Sequence, residues 1–274
     1  MRLSRRPRVA RVAPALEHES GPPVELHARN VAVIAHWSQG TRLTRSVQTL
    51  LSEFTSSGFT CVLVSSSSAS GPLAFDSPDL ADAVTVLRRP NLGYDFGSWA
   101  AFLHAFPQVR RARRVLLAND SLVGPFTSLA GILADFDRCP TDIWGLVGTT
   151  QDAPHLQSHF VGYRDGVLAS PVLSDFWEDV RIEPTKRRLI QRYEIGMSQL
   201  ARREGFVTVA HFPWHWVTAR GQNPTSLGWR RLIDVGFPFV KRELVLRPPP
   251  EVPDANLIEQ VVRERWGQDV YDWV

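Results

Sequence analysis

Short apolar runs alternate with helical patterns through the first half of the chain, and this alternation limits the folds available to it. Five apolar runs predict buried strands: Val31–Ala35, Thr60–Val64, Val84–Leu87, Val115–Ala118 and Ile143–Val147. Apolar residues at helical spacing separate most of these runs, beginning with the stretch from Leu43 to Phe54. Alternating strands and helices are typical of a largely parallel sheet with right-handed crossovers. The pattern therefore predicts an α/β fold with a mostly parallel central sheet and helices on both faces.

The chain of 274 residues is long enough for one large α/β domain, and its ends differ in composition from the middle. Residues 1–28 combine prolines and small residues with five arginines: Arg2, Arg5, Arg6, Arg8 and Arg11. This composition predicts a disordered basic tail that could contact anionic lipid. Three prolines at 248–250 end the main body. We therefore expect one domain over 29–250 and a helical extension over 251–274.

Composition and charge exclude several classes of protein. No apolar stretch approaches the roughly 18 residues of a membrane-spanning helix, and the N-terminus lacks the apolar core of a secretory signal. Cys61 and Cys139 are the only cysteines, which excludes a disulfide framework and favours a reducing, cytoplasmic setting. The net charge of +3 is mildly basic, yet neither a DNA-reading helix nor an aromatic RNA motif is present, so we expect no nucleic-acid partner.

Polar turns follow two neighbouring predicted strands. The strand that ends at Ala118 continues into Asn119 and Asp120, and the strand before it is followed by Asn91, Gly93 and Asp95. Either turn alone is typical of a helix cap or a local backbone turn. Two such turns at neighbouring strand ends meet at the edge of a parallel sheet where ligands bind. Together they predict a ligand-binding crevice, although neither matches a dinucleotide or P-loop motif.

Four longer motifs resemble the rhamnan synthesis protein F family: NLGYDFGSW, LANDSLVGPF, RYEIGMSQLARREGF and NPTSLGWRRLIDVGFPFVKREL. They occur in order over roughly residues 30 to 247. The family is similar to inverting glycosyltransferases of the GT-A fold. The resemblance implies a GT-A-like domain that transfers a sugar, L-rhamnose, from a nucleotide-sugar donor such as dTDP-rhamnose. The acceptor would be a cell-surface polysaccharide or a lipid-linked glycan, and the protein would work at the inner face of the membrane.

The resemblance also assigns donor-side roles to individual residues. Asn91, Gly93, Asp95, Asn119 and Asp120 would bind the donor, and Asn119-Asp120 stands where GT-A enzymes carry an Asp-x-Asp motif. Asp120 and His215 would hold Mg²⁺ or Mn²⁺ at the diphosphate. The motif departs from the family pattern because asparagine replaces the first carboxylate. Mg²⁺ can still bind through one or two carboxylates and the phosphates of a substrate.

On the acceptor side, Glu194 resembles the acidic residue that removes the proton of the attacking hydroxyl in inverting enzymes. Trp214 and Trp216 are candidates for an acceptor platform, because the C–H faces of sugars stack on aromatic rings. If no metal is bound, Arg220, Arg230 and Lys241 could neutralise the diphosphate. An alternative remains in which the fold is kept but the chain is a non-catalytic carbohydrate-binding or assembly subunit of polysaccharide synthesis.

Overall fold

A computed structural model of the protein describes residues 6–12 and 15–274. Within these residues the strands are β1 (Glu17–Ser20), β2 (Asn30–His36), β3 (Thr60–Ser65), β4 (Val84–Arg88), β5 (Arg114–Asn119), β6 (Leu122–Val123), β7 (Ile143–Thr149), β8 (His155–Leu156), β9 (Phe160–Arg164), β10 (Thr208–Phe212) and β11 (Val240–Lys241). The α-helices are α1 (Val9–Val12), α2 (Arg45–Ser56), α3 (Pro78–Ala83), α4 (Tyr94–Ala105), α5 (Ala130–Arg138), α6 (Pro171–Glu178), α7 (Lys186–Leu189), α8 (Ile195–Arg203), α9 (Pro224–Leu227), α10 (Trp229–Asp234), α11 (Arg242–Leu246) and α12 (Ile258–Trp266).

The structure confirms the predicted α/β fold, and its central sheet is mixed instead of purely parallel. Its strand order is β1-β4-β3-β2-β5-β9-β7-β10, and β8 pairs with β7. Neighbours among β2 to β5 pair in parallel, as do β7 and β10. In contrast, β9 lies antiparallel between β5 and β7. The chain passes from β7 through β8 into β9 without a crossover helix, and a short connection of this kind reverses the strand direction.

Helices cover both faces of the sheet, as predicted. Successive residues of β2 point to opposite faces, since side chains alternate along a strand. Val31 and Val33 belong to a core cluster that includes residues of α4, α6 and α8. Ile34 belongs to a second cluster with residues of α2 and α5. The two clusters lie on opposite sides of the sheet, so the chain forms a three-layer α/β architecture.

The N-terminal segment differs from the predicted disordered tail over its described residues. Val9 is fully buried against α4, and β1 pairs antiparallel with β4. Arg6 pairs with Glu183, and Arg8 Nε lies 2.7 Å from Asp179 Oδ1. These apolar and ionic contacts account for the order of this part. Residues 1–5 and 13–14, with Arg2 and Arg5, lie outside the described residues.

The C-terminal extension packs on the body of the protein. α12 and the 3-10 turn over Val270–Trp273 join Phe126 and Trp229 in a third apolar cluster. The Ser46 hydroxyl at the start of α2 donates to the Trp273 carbonyl at 2.6 Å. Across 6–12 and 15–274, no helix has both the length and the apolar character needed to cross a bilayer.

Candidate functional site

A cavity of about 320 Å³ lies at the carboxyl ends of the central strands. Its walls come from the turn after β5, the start of α4, the segment between β8 and β9, and the helical segment from Lys186 to Glu194. Asp95, Asn119 and Glu194 all line it. Three of the predicted site residues, from segments far apart in the sequence, therefore share one cavity. This is the strand edge at which α/β folds bind ligands.

Asn119 organises the turn after β5. Its Nδ2 donates to Asp95 Oδ2 at 2.7 Å, and its Oδ1 accepts from the Ser121 backbone amide at 3.1 Å. A carboxylate at this buried position could not donate and would repel Asp95. Asn119 therefore joins the two predicted turns through a hydrogen bond.

The turn before α4 sets the position of Asp95. Gly93 and Tyr94 both adopt left-handed backbone conformations, with φ of 84° and 54°. A Cβ on Gly97 would lie 2.2 Å from the Leu92 carbonyl oxygen, so only glycine fits there. Gly93 is buried and shapes the turn, whereas Asn91 is exposed and lies outside the set of residues lining the cavity. The motif thus presents Asp95 to the cavity at the N-terminus of α4.

The environment of Asp95 favours its protonated form. Burial raises the pKa of Asp95 to about 7, and the negative charges of Asp120 and Glu194 act in the same direction. The positive charge of Lys186 and the hydrogen bond from Asn119 oppose this rise. Asp95 therefore changes its protonation state near neutral pH, which is common at functional sites.

Asp120 is held by protein groups at the side of the cavity. Its Oδ2 accepts from the Trp37 backbone amide at 3.0 Å and lies 3.8 Å from Arg242 Nη1. β6 pairs with β11, and this pairing sets Lys241 opposite Leu122. Lys241 and Arg242 therefore lie next to the turn after β5 that carries Asp120. Asp120 lines a small adjoining cavity together with Asn119.

Glu194 is held by donors from β8 and from the segment that follows it. His155 Nε2 lies 3.1 Å from Glu194 Oε1, and both the backbone amide and the hydroxyl of Ser158 donate to Oε2. Burial raises the pKa of Glu194, but the hydrogen bonds and the charge of His155 outweigh it, so the pKa lies below its ordinary value. Glu194 is therefore ionised at neutral pH.

His155 links this carboxylate to a second cleft. Its Nδ1 lies 2.7 Å from the Ala153 carbonyl oxygen, so both ring nitrogens face oxygen acceptors. The ring lines the main cavity and also an open cleft of about 250 Å³, where Trp214 lies. Trp216 is 55% exposed and lies outside the walls of both. Of the two predicted platform residues, only Trp214 therefore lies beside His155.

The cavity holds three cations, two of which the sequence analysis did not identify. Lys186, Arg187 and Lys241 line it. Lys186 and Lys241 are the only lysines among the 31 Lys and Arg residues of the chain. Of these three cations, only Lys241 was expected from the sequence as a neutraliser of the diphosphate. The scarcity of lysine was the signal that could have identified Lys186.

The predicted metal site does not form a cluster of protein ligands. Across the described ranges, no group of three or more His, Cys, Asp or Glu side chains is arranged to share an ion. His215 is exposed in the 3-10 turn Trp214–Trp216, and Asp120 is engaged by Trp37 and Arg242. The protein side chains alone do not fit Mg²⁺ or Mn²⁺, and the metal requirement stays a prediction.

Comparison with known families identifies the chain. The family model of rhamnan synthesis protein F matches residues 62–264. The chain belongs to the rhamnan synthesis protein F family. The match includes the turns that carry Asp95 and Asn119 and the segment that carries Glu194, so the residues that line the cavity lie within the matched part of the chain.

Individual proteins that match the chain share about a quarter of its residues over the aligned part. The virulence protein VirA of Vibrio anguillarum is 26% identical over 219 residues, covering 67% of this chain and 70% of that protein. An uncharacterised protein of Sinorhizobium fredii is 24% identical over 129 residues, covering 44% of this chain and 33% of the relative. A solved structure named as a nucleotide-diphospho-sugar transferase, from Desulfovibrio desulfuricans, covers 86% of this chain and 98% of its own, with 11% identity and a TM-score of 0.31.

Proposed function

We propose that this member of the rhamnan synthesis protein F family is an inverting glycosyltransferase. It would transfer a sugar, L-rhamnose, from a nucleotide-sugar donor such as dTDP-rhamnose to a cell-surface polysaccharide or a lipid-linked glycan, with release of the nucleoside diphosphate. The observation that carries the proposal is the meeting of Asp95, Asn119 and Glu194 in one cavity with three cations. Family membership supports a role in polysaccharide synthesis.

The charge of the cavity suits a diphosphate donor. Lys186, Arg187 and Lys241 can neutralise the two phosphates and stabilise the negative charge that develops on the departing nucleotide diphosphate. Asp95 and Asn119 would contact the donor from the strand ends. A divalent ion, where bound through the donor phosphates, would supply additional charge stabilisation.

Glu194 is the proposed general base. It would take the proton of the acceptor hydroxyl while the acceptor oxygen bonds to the anomeric carbon and the bond from that carbon to the diphosphate oxygen breaks. Its pKa below the ordinary value keeps it ionised at neutral pH, and Ser158 and His155 fix its orientation. The acceptor would enter through the adjoining cleft, where Trp214 can stack on a sugar ring.

The test is a donor screen with the full chain. Calorimetric titration with dTDP-rhamnose, UDP-glucose and GDP-mannose, in Mn²⁺ and in EDTA, measures binding, and release of free sugar measures slow donor hydrolysis. We expect one donor to bind and to be hydrolysed with inversion at the anomeric carbon. Absence of donor binding under both conditions contradicts the proposal. Donor binding without hydrolysis or transfer favours the non-catalytic carbohydrate-binding or assembly subunit. Comparison of the results in Mn²⁺ and in EDTA also shows whether donor binding requires a metal ion.

We propose that the protein works at the inner face of the cell membrane, where it would reach a lipid-linked acceptor. Peripheral contact would use the N-terminal arginines, of which Arg11 is exposed while Arg6 and Arg8 form ion pairs. Sedimentation with anionic vesicles tests this contact, which we expect to weaken as salt is raised. We expect negligible affinity for DNA and RNA at physiological salt.

A further inference from the structure

Two residues that line the cavity each carry a buried polar atom with no hydrogen-bond partner in the described part of the chain, and His159 also lines the small adjoining cavity. The two atoms are the side-chain oxygen of Gln157 and Nε2 of His159. Gln157 is 7% exposed and His159 is 8% exposed, and both residues line the cavity. Folded proteins rarely leave buried polar atoms unpaired, and the exceptions often lie at binding sites. Neither residue has a role in the function proposed above.

The backbone around these two residues is fixed. The backbone N–H of Gln157 donates to the backbone carbonyl of Val147 at 2.9 Å. The backbone carbonyl of His159 accepts from the backbone N–H of Asn119 at 3.2 Å. Gln157 Nε2 also donates to Asn223 Oδ1 at 3.0 Å, which leaves its side-chain oxygen free. Ser158, which lies between them, donates to Glu194. The two unpaired groups therefore flank the residue that holds the proposed base, on a segment tied to the sheet.

The chemistry of the two groups distinguishes them from the cations of the cavity. An amide is uncharged, and burial lowers the pKa of His159 to about 4, with Lys241 adding to the effect and Glu194 opposing it. The imidazole is therefore neutral at physiological pH. Neutral donors and acceptors suit uncharged hydroxyl groups, whereas diphosphate binding favours the cations Lys186, Arg187 and Lys241.

We infer that Gln157 and His159 bind hydroxyl groups of the transferred sugar and determine which sugar the site accepts. The inference rests on the proposed function and extends it from the diphosphate to the glycosyl group. A site built to hydrogen-bond a hydroxyl discriminates strongly against a ligand that lacks it, because its buried polar groups are then left unpaired. The sugar would lie beside Glu194, where the acceptor oxygen can attack the anomeric carbon of the sugar.

The test compares each nucleotide sugar with its own nucleoside diphosphate. Affinities for dTDP-rhamnose and dTDP, UDP-glucose and UDP, and GDP-mannose and GDP are measured for the unmodified chain and for Gln157→Met and His159→Phe. We expect each variant to bind the preferred nucleotide sugar about five- to tenfold more weakly, while its affinity for the nucleoside diphosphate stays within about twofold. The matched substitutions Gln260→Met and His27→Phe, at exposed positions, should change neither.

The outcomes separate the inference from the proposed function. If the unmodified chain binds none of the six ligands, the proposed function fails and the inference fails with it. If it binds a nucleotide sugar and both variants bind that ligand equally well, the inference alone fails. A loss of nucleoside diphosphate affinity as large as the loss for the sugar also overturns it. His159→Gln, which keeps a polar group, should recover part of the affinity and serves as the replacement where His159→Phe lowers thermal stability.

Discussion

The two carboxylates of the cavity, Asp95 and Glu194, have opposite environments. Glu194 accepts three hydrogen bonds from His155 and Ser158, and its pKa lies below the ordinary value. Asp95 accepts one, from Asn119, and has Asp120 as a negative neighbour, and its pKa is raised to about 7. Both are largely removed from water, so the number of donors and the sign of the neighbouring charges decide the direction of the shift.

This contrast separates the roles of the two groups. Divergent pKa values within a pair of acidic residues assign one as the ionised partner and the other as a group that can carry a proton. Glu194 is suited to accept a proton, and Asp95 can change between donating and accepting a hydrogen bond near neutral pH. The predictions below test whether the two residues differ in this way.

The largest effect is expected from Glu194→Gln. The amide keeps the shape of the side chain but cannot take the acceptor proton, so transfer should fall by about a hundred- to ten-thousandfold. Donor affinity should change by less than about threefold, because the diphosphate is bound by cations elsewhere in the cavity. Rate measurements with Glu259→Gln on α12 as control test this, and an unchanged rate removes Glu194 from the base role.

Asp95→Asn should stabilise the protein at alkaline pH. Because the folded-state pKa of about 7 lies above the ordinary value of 3.8, the contribution of Asp95 to stability is complete below about pH 3.8 and is lost as pH rises through 7. One pKa unit corresponds to about 1.4 kcal/mol, and solvent reaches part of Asp95, so we expect a gain of about 2 kcal/mol at pH 8 and little change at pH 4. Urea unfolding at both pH values measures the difference.

The control for this substitution is Asp79→Asn at the exposed start of α3. It should leave the pH dependence of unfolding unchanged. Equal stability changes for Asp95→Asn at pH 4 and pH 8 would show that Asp95 is ionised throughout, and the contrast with Glu194 would be lost.

Ser158→Ala should move the pKa of Glu194 upward. Loss of the hydroxyl donor removes one of the hydrogen bonds that favour the ionised form, so the acid limb of the rate profile should shift from below pH 4.5 toward that value. We expect the acid limb to move to higher pH, and the rate at neutral pH to fall by about tenfold because the carboxylate loses a donor that fixes its orientation. Ser128→Ala, which removes a hydroxyl that donates to Glu53 outside the cavity, should leave the profile in place.

The smallest effect is expected from Lys186→Gln. Removal of one cation should weaken nucleoside diphosphate binding about fivefold, and added salt should reduce the difference. The same change should raise the pKa of Asp95 further, because the charge of Lys186 holds it down. Arg188→Gln, two residues along but outside the cavity wall, is the matched control. Equal effects of both substitutions would indicate a general charge effect instead of a contact with the diphosphate.

Much of the site could be predicted from local pattern. Asp95 and Asn119 each follow an apolar run, and parallel strands bring such ends to the same edge. The runs themselves appear in the structure as β2 to β5 and β7. Sequence reasoning did not identify β9, whose antiparallel insertion depends on pairing with both β5 and β7. Residues 155–159 precede it, so the positions of His155, Gln157 and His159 could not be predicted either.

The order of polar turns after apolar strands already specified an α/β fold with a crevice at the strand ends, because side-chain periodicity and turn chemistry are local properties of the chain. The folded arrangement determined which groups share that crevice and in which ionisation state. Lys186, Ser158 and Glu194 line the cavity because segments distant in the sequence pack together, and their effects on one another depend on burial and distance. A pKa depends on the charges and donors around a group in space, and that surrounding exists only after distant segments have packed together.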